Sequence, residues 1–117
     1  SENLNDVIAN NDIVFVDFWA AWCGPCRNFA PTYEAAAAAN PDIVFGKIDT
    51  EAQQELAAAF QIRSIPTIAA IRDGVMVFRE AGALPASAFD QIIEGVRGLD
   101  MEKVHAEIAA QQNGQQS

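Results

Sequence analysis

Residues 13–26 read IVFVDFWAAWCGPC, and this stretch decides the fold. Its first part, residues 13–18, is an almost continuous apolar run that ends in an aromatic side chain. Such a run is typical of a strand covered on both faces, in a parallel or mixed sheet with helices on each side. The second part carries Cys23 and Cys26 at the start of an alanine-rich helical segment, where Pro25 suits the first turn. The stretch therefore predicts a buried central strand followed by a helix that begins at the cysteines.

The segments around this stretch predict an alternation of strands and helices. Apolar residues at helical spacing indicate a helix over residues 3–10, and residues 43–48 form a second apolar, strand-like run. Residues 50–53, Thr-Glu-Ala-Gln, resemble a capping box, which predicts a helix from there through Phe60. The pattern up to this point is that of an α/β protein.

The pair Asp73-Gly74 marks a hairpin in the second half of the chain. It separates the β-rich runs 67–72 and 75–79, and Asp-Gly between two such runs is a strong signal for a two-residue turn. The last two strands are therefore expected to be antiparallel neighbours, which makes the sheet mixed. A helix is predicted after Leu84-Pro85, with Gly98 as its end.

Length, composition and charge narrow the range of functions. The chain has 117 residues, enough for one domain, and its 50% hydrophobic and 20% charged residues exclude disordered and coiled-coil classes. Sixteen acidic and seven basic residues give a net charge of −9 without a basic patch, which argues against nucleic acid and anionic membrane surfaces as partners. No apolar run reaches the ~18 residues that a membrane span needs.

Cysteine usage predicts a reducing, cytoplasmic environment. The chain has only two cysteines, whereas small secreted domains that depend on disulfides usually carry more. The first three residues, Ser-Glu-Asn, have neither the cationic start nor the apolar segment of an export signal.

The cysteine pair admits three interpretations: a redox dithiol, a zinc half-site and a haem attachment site. Cys23 and Cys26 lie three positions apart, where their side chains can meet across one helical turn at a separation that disulfides allow. A structural zinc ion needs four ligands, and only the distant His105 remains. Haem attachment requires a histidine directly after the second cysteine, where this chain has Arg27. The redox dithiol is therefore favoured, with no metal.

A redox dithiol needs one cysteine that ionises easily. Lowering a thiol pKa by one unit takes about 1.4 kcal/mol, and a helix N-terminus supplies about 0.3–1 kcal/mol. Hydrogen bonds from the helix-start amides and from the Cys26 thiol must therefore supply the rest. We expect Cys23, exposed at the tip of the helix, to attack a substrate disulfide and Cys26, one turn further in, to resolve the mixed disulfide.

Three segments resemble the active-site segments of the thioredoxin family. They are residues 16–26 with Ala30-Pro31 behind them, Ser64-Ile65-Pro66-Thr67, and Gly82-Ala83-Leu84. They agree with the family in order and spacing, the likeness covers about residues 4–97, and the Trp-Cys-Gly-Pro-Cys pentapeptide is more specific than its cysteines alone. The resemblance implies the α/β thioredoxin fold, a central mixed sheet flanked by helices.

The resemblance also implies a general protein-disulfide reductase. Cys23 would attack disulfide-containing protein substrates, Cys26 would release the reduced product, and an NADPH-dependent flavoprotein thioredoxin reductase would regenerate the dithiol. The chain itself would bind no cofactor. A rival hypothesis is a binding module on the same fold whose extra C-terminal helix carries the main role. A third, an exported thiol oxidase, is disfavoured by the Gly-Pro dipeptide between the cysteines and by the absence of a signal.

Individual roles follow from the same resemblance. Asp17 lies in an apolar strand, which should raise its pKa, and the resemblance implies that it is the proton acceptor and donor for Cys26, with Lys47 nearby. The alternatives are a carboxylate at a strand end that meets solvent and an ordinary strand-edge cation. Pro66 is implied to be cis, although only about 5–6% of X-Pro bonds are, with the Ile65 backbone pairing to an extended substrate segment. The complete predicted site comprises Cys23, Cys26, Gly24, Pro25, Asp17 and Lys47 for catalysis, and Trp22, Ile65, Pro66, Thr67, Gly82 and Ala83 for substrate binding.

The chain departs from the family pattern at both ends. Some twelve residues precede the first strand, too few for the usual additional strand and helix, so we expect four strands in the order 43–48, 13–18, 67–72, 76–80. The strand 43–48 then becomes an edge that is bare, covered by another chain, or paired in a longer native protein. Residues 1–98 would form the domain, residues 99–112 an extra helix on or beside it, and residues 113–117 a flexible tail. A monomer is expected, with a dimer through the edge strand or the extra helix as the alternative.

Overall fold

The apolar run of residues 13–18 forms a central strand of the sheet. In the computed structural model, which describes residues 2–115, strand β1 is Ile13–Trp19 and all but its last residue are buried. It pairs in parallel with β2, Val44–Asp49, and antiparallel with β3, Thr67–Arg72. Strand β4, Val75–Ala81, runs antiparallel to β3 and gives the order β2-β1-β3-β4. The predicted four-stranded mixed sheet and its strand order are confirmed.

Helices cover both faces of this sheet within the described residues. They are α1, Glu2–Asn10; α2, Gly24–Ala39; α3, Gln54–Ala59; α4, Ala86–Arg97; and α5, Met101–Gln115. Within residues 2–115 every helix is too short or too polar to span a membrane. The order of elements makes the chain an α/β protein with one extra helix at its C-terminus.

Alternation along β1 divides the core into two clusters, because successive side chains of a strand point to opposite faces. Phe15 faces α2 and α4, where it joins the aromatic rings of Phe29, Tyr33 and Phe89. Val14, Val16 and Phe18 face α1 and α3. Asp17 follows Phe15 by two positions and therefore lies on the α2 side of the sheet, beneath the helix that carries the cysteines.

The helix predicted to start at the capping box starts later. Helix α3 is Gln54–Ala59, and a turn precedes it. The Asp49 carboxylate accepts a hydrogen bond from the backbone N–H of Glu51 at 2.9 Å, which stabilises this turn. The Thr50 hydroxyl donates to the Trp19 carbonyl at 3.1 Å and so ties the turn to the end of β1. The Thr50 side chain therefore links the turn before α3 to the end of β1 and does not cap a helix.

Strand β2 lies at one edge of the described sheet, as the sequence predicts. A cleft of about 410 Å³ runs beside it and is lined mostly by apolar side chains of β2, α1 and α3, among them Val44, Ile48, Leu4, Val7 and Leu56.

Helix α5 starts later and ends later than the extra helix predicted for residues 99–112. Its Val104 and Ile108 are half buried and line a cleft of about 260 Å³ with the first residues of β4. Of the predicted flexible tail, the part up to Gln115 belongs to α5, and residues 116 and 117 lie outside the described residues. Flexibility of the tail stays a prediction.

Candidate active site

The two cysteines form a disulfide at the first turn of α2. Their Cα atoms are 5.2 Å apart, within the usual disulfide range. Cys23 is the N-cap residue of α2, with an extended backbone, and its Sγ accepts a hydrogen bond from the Cys26 backbone N–H at 3.2 Å. A sulfur in this place occupies the position of a capping oxygen, where the unpaired amides of the helix start favour negative charge.

The expected exposure of Cys23 is wrong for this disulfide form. Cys23 and Cys26 are each 3% exposed. The reason is that the loop before the helix folds back, with the Cys23 N–H donating to the Ala20 carbonyl at 3.1 Å, while Ile65 packs against the pair from another loop. The exposed neighbour is Trp22, at 67%.

Asp17 is buried beneath the disulfide-bearing helix. Its side chain is 1% exposed, and its Oδ1 has no hydrogen-bond partner within the described residues. Burial raises the pKa of Asp17 to about 6, and the charge of Lys47 partly offsets the rise. The carboxyl therefore changes its protonation state near neutral pH, in contrast to a solvated carboxylate at a strand end.

Lys47 is placed next to Asp17 by the parallel pairing of β2 with β1. The two residues are register partners, and the lysine Nζ lies 5.3 Å from the centroid of the Trp19 ring. An ammonium over an aromatic face is stabilised by the ring quadrupole. Trp19 thus positions the cation whose field acts on Asp17.

The second predicted segment meets the disulfide from the side of β3. The Ile65–Pro66 peptide bond is cis, as the resemblance implies. The Ile65 carbonyl oxygen lies 3.7 Å from the Cys23 Sγ; because a disulfide sulfur has no proton, this is a contact in the oxidised form. The Thr67 hydroxyl donates to the Ser64 carbonyl at 2.6 Å, which braces the loop.

The third predicted segment is attached to the second. The Gly82 N–H donates to the Pro66 carbonyl at 2.7 Å, and Gly82 has φ of +109°, a conformation that side chains disfavour. Ala83 is exposed beside it. Between the cysteines, a Cβ on Gly24 would meet nothing within 4 Å, and Pro25 is exposed, so this side of the helix tip is open.

Two residues near Trp22 and Ile65 are absent from the site predicted from the sequence. Glu51 accepts a hydrogen bond from the Trp22 indole at 2.7 Å, and so orients the most exposed aromatic side chain. Arg63 lines a cleft of about 310 Å³ together with Trp22 and Ile65. Glu51 was assigned to a capping box, and Arg63 lay between recognised motifs, so the sequence pattern carried no signal for either.

The described residues contain no candidate metal centre. Within the described residues, no three side chains of His, Cys, Asp or Glu are arranged to hold an ion. The chemistry that the geometry can support is exchange of the Cys23–Cys26 disulfide with thiols, and the buried Asp17 on the α2 side of the sheet is a carboxyl that can take or give a proton.

Comparisons with known proteins agree with this geometry. The family model described as thioredoxin matches residues 1–95. A Streptomyces coelicolor protein assigned as thioredoxin 2 is 54% identical over 111 residues, 95% of this chain and 83% of the relative. Among solved structures, a mutant thioredoxin from Halobacterium salinarum is 36% identical with a TM-score of 0.79, covering 86% of this chain and 88% of its own. A Plasmodium falciparum thioredoxin is also 36% identical, with a TM-score of 0.76 over 81% and 92% of the two chains. The chain therefore belongs to the thioredoxin family.

Proposed function

We propose that this thiol-disulfide oxidoreductase works as a general reductant of protein disulfides, with Cys23 as the attacking and Cys26 as the resolving cysteine. The oxidoreductase activity itself follows from the family and from the cysteine pair. The observation that carries the assignment of roles is the hydrogen bond from the Cys26 N–H to the Cys23 Sγ at the start of α2. An amide that donates to a sulfur favours its thiolate form, and the thiolate is the nucleophile.

The reaction has two exchange steps. The Cys23 thiolate attacks one sulfur of the substrate disulfide, forms a mixed disulfide and releases the first substrate thiolate. Cys26 loses its proton and attacks the Cys23 sulfur, which releases the second thiolate and forms the Cys23–Cys26 disulfide. Two electrons pass from the dithiol to the substrate.

Low exposure of the sulfurs is compatible with this role. Cys23 is 3% exposed as a residue in the disulfide form, so an extended, protruding substrate segment is favoured over a flat surface. Trp22, Ile65, Thr67, Gly82 and Ala83 are proposed as the docking surface, in which the Ile65 backbone pairs with the substrate segment. Since Cys23 touches the Ile65 carbonyl, a segment paired there lies next to the reacting sulfur.

Asp17 is proposed to take the proton of Cys26 in the second step and return it on reduction, with Lys47 as a modulator. A carboxyl with a pKa of about 6 is suited to both directions near neutral pH. We further propose a cytoplasmic monomer whose disulfide is reduced by an NADPH-dependent flavoprotein reductase.

The assignment of roles is tested with single serine variants. Cys23→Ser is expected to abolish insulin reduction by dithiothreitol above the uncatalysed rate. Cys26→Ser is expected to accumulate a mixed disulfide with the substrate, detected by non-reducing electrophoresis and mass spectrometry. Oxidation of NADPH in the presence of a thioredoxin reductase tests the recycling step.

Selective alkylation supplies an independent readout. The reduced protein is treated with a limiting amount of iodoacetamide, and the modified cysteine is identified by peptide mass spectrometry. Modification of Cys23 first supports the proposal, whereas modification of Cys26 first, or a trapped mixed disulfide on Cys26, would reverse the roles.

A further inference from the structure

We propose that Arg63 gives the docking surface a preference for substrate segments that carry an Asp or Glu side chain next to the reacting cysteine. The inference rests on the proposed function and adds a substrate class to it. Its basis is a cleft of about 310 Å³ whose walls include Trp22, Arg63 and Ile65, the residue whose carbonyl contacts the Cys23 Sγ.

The composition of this cleft favours an anionic guest. Its described walls are formed by Trp22, Thr50, Ala57, Ile62, Arg63, Ser64 and Ile65. Arg63 is the single charged residue among them, and the hydroxyls of Thr50 and Ser64 are the other polar side-chain groups. Glu51 lies beside these walls, but its carboxylate accepts a hydrogen bond from the Trp22 indole at 2.7 Å, so Arg63 is the charged group of the wall that a substrate carboxylate meets.

Arg63 is available for such a contact. Its side chain is exposed, and no described residue receives a hydrogen bond or an ion pair from it. By contrast, the guanidinium of Arg27 donates to the Ala21 carbonyl at 2.9 Å, and that of Arg79 donates to the carbonyls of Phe60 and Gln61. Guanidinium groups bind carboxylates through two parallel hydrogen bonds, which an uncommitted arginine can offer.

Position ties this cation to the reaction. Arg63 is two residues before Ile65, whose carbonyl oxygen lies 3.7 Å from the Cys23 Sγ. A second cleft of about 370 Å³ meets Arg63 from the other side, with Arg79 and Glu80 in its walls. With Arg63 counted, the wall of this second cleft also carries one net positive charge, but only the cleft next to Trp22 includes Ile65, which contacts Cys23.

The net negative charge of the chain limits how far the positive charge of Arg63 can attract acidic partners. With a net charge of −9, the chain repels acidic partners at distances beyond its immediate contacts. Arg63, in the loop that contacts Cys23 through Ile65, therefore selects for a carboxylate at one position of the substrate and not for acidic proteins in general.

The experiment uses three symmetrical peptide disulfides that are identical except for Glu, Gln or Lys next to the cysteine. The reduced protein, residues 1–117, is mixed with each peptide, and release of peptide thiol is followed by acid quenching and chromatography. The quantity of interest is the ratio of the Glu rate to the Gln rate, compared between the unaltered protein and Arg63→Gln. Any intrinsic difference in peptide reactivity cancels in this comparison.

We expect the ratio to fall about two- to five-fold in Arg63→Gln, the range that exposed ion pairs give. Arg63→Lys should retain the preference in part, and Arg63→Glu should transfer it to the Lys peptide. Lys103→Gln, which removes an exposed positive charge on α5, is the matched control and should leave the ratio unchanged. The preference should also vanish at high salt, since exposed charges are screened.

Two failures are distinguishable. If the Gln peptide is reduced normally and the Glu to Gln ratio is the same with and without Arg63, the preference is refuted and the proposed function stands. If dithiothreitol reduces all three peptides and the protein reduces none, the proposed function has failed and the preference with it.

Discussion

At the scale of single residues, Asp17 combines a stability cost with a chemical role. Its carboxyl is 1% exposed and one of its oxygens has no partner within the described residues, so ionisation places a poorly solvated charge in the core. The Lys47 charge compensates only in part, and the pKa stays at about 6. The folded state therefore holds a proton at a pH where the unfolded chain has lost it.

The sign of the pH dependence follows from this difference. Because the pKa rises from 3.8 to about 6 on folding, the contribution of Asp17 to stability falls as the pH rises from about 4 to about 7. A rise of this size corresponds to about 3 kcal/mol. Asp17→Asn removes the titration and is expected to be about 1–3 kcal/mol more stable than the unaltered oxidised protein at pH 7, with little difference at pH 4. Urea unfolding at both pH values measures the change.

A second Asp→Asn variant provides the control. Asp42 is exposed and pairs with Arg97 at 2.6 Å, and its hydrogen bond to Arg97 lowers the pKa of Asp42 to about 2. Its contribution is present above its ordinary pKa and is lost as the pH falls toward 2, the opposite sign. Because pH 4 lies just above that ordinary pKa, Asp42→Asn should change the difference between pH 4 and pH 7 only slightly, and in the direction opposite to Asp17→Asn. An Asp17→Asn protein with the same pH dependence as the unaltered chain would contradict the burial argument.

The sequence predicted which residues form the candidate site better than it predicted how exposed they are. The raised pKa of Asp17 was predicted because a carboxyl within an apolar strand is desolvated wherever the chain goes. The burial of Cys23 was not, because Ile65, which covers it, is 42 positions away in sequence. The position of Cys23 at the start of a helix predicts that its sulfur accepts a hydrogen bond. It does not predict that a loop distant in sequence covers the residue.

At the scale of elements, Arg72 joins the end of β3 to the end of α4. Its Nη1 donates to the carbonyls of Val96, Arg97 and Leu99 at 2.7, 3.0 and 2.8 Å. These carbonyls belong to the last turn of α4 and the residues after it, where helix carbonyls lack intrahelical partners and a cation interacts favourably with the dipole.

Arg72→Met is expected to lower the free energy of unfolding by about 2–3 kcal/mol, because half-buried carbonyls lose a charged donor. Arg97→Met offers a comparison of the same substitution on an exposed ion pair with Asp42, where the loss should be clearly smaller. Urea unfolding of both variants in the oxidised state measures the difference. Equal losses, or a larger loss for Arg97→Met, would show that Arg72 does not stabilise the helix end.

Helices and strands were predictable from the sequence where they depend on a pattern of adjacent residues. The apolar runs and the Asp73-Gly74 turn located the four strands, because alternation and turn chemistry are properties of a few adjacent residues. The start of α3 was misplaced because the Thr50 hydroxyl donates to the Trp19 carbonyl, a contact across 31 positions. The Arg72 contacts span 24 to 27 positions and were invisible for the same reason.

At the scale of the whole molecule, the candidate site and α5 lie at opposite ends of the sheet. The site forms where β1 ends and β3 begins, at Trp19 and Thr67. Helix α5 contacts the other end of β3, where His105 Nε2 lies 3.1 Å from Asp73 Oδ2. A strand of six residues is about 20 Å long, so α5 is remote from the disulfide.

This separation predicts that reduction of disulfides does not need α5. A chain that ends at Asp100 keeps the Leu99 carbonyl bound by Arg72 and loses the half-buried Val104 and Ile108. It should be less stable by about 1–2 kcal/mol, in keeping with two partly buried aliphatic side chains, and should reduce insulin at a rate within about two-fold of the full chain. Urea unfolding and the insulin assay at a temperature where both chains are folded give the two numbers. A folded, truncated chain that has lost most of its activity would place α5 within the catalytic unit and favour the rival hypothesis that this helix carries the main role.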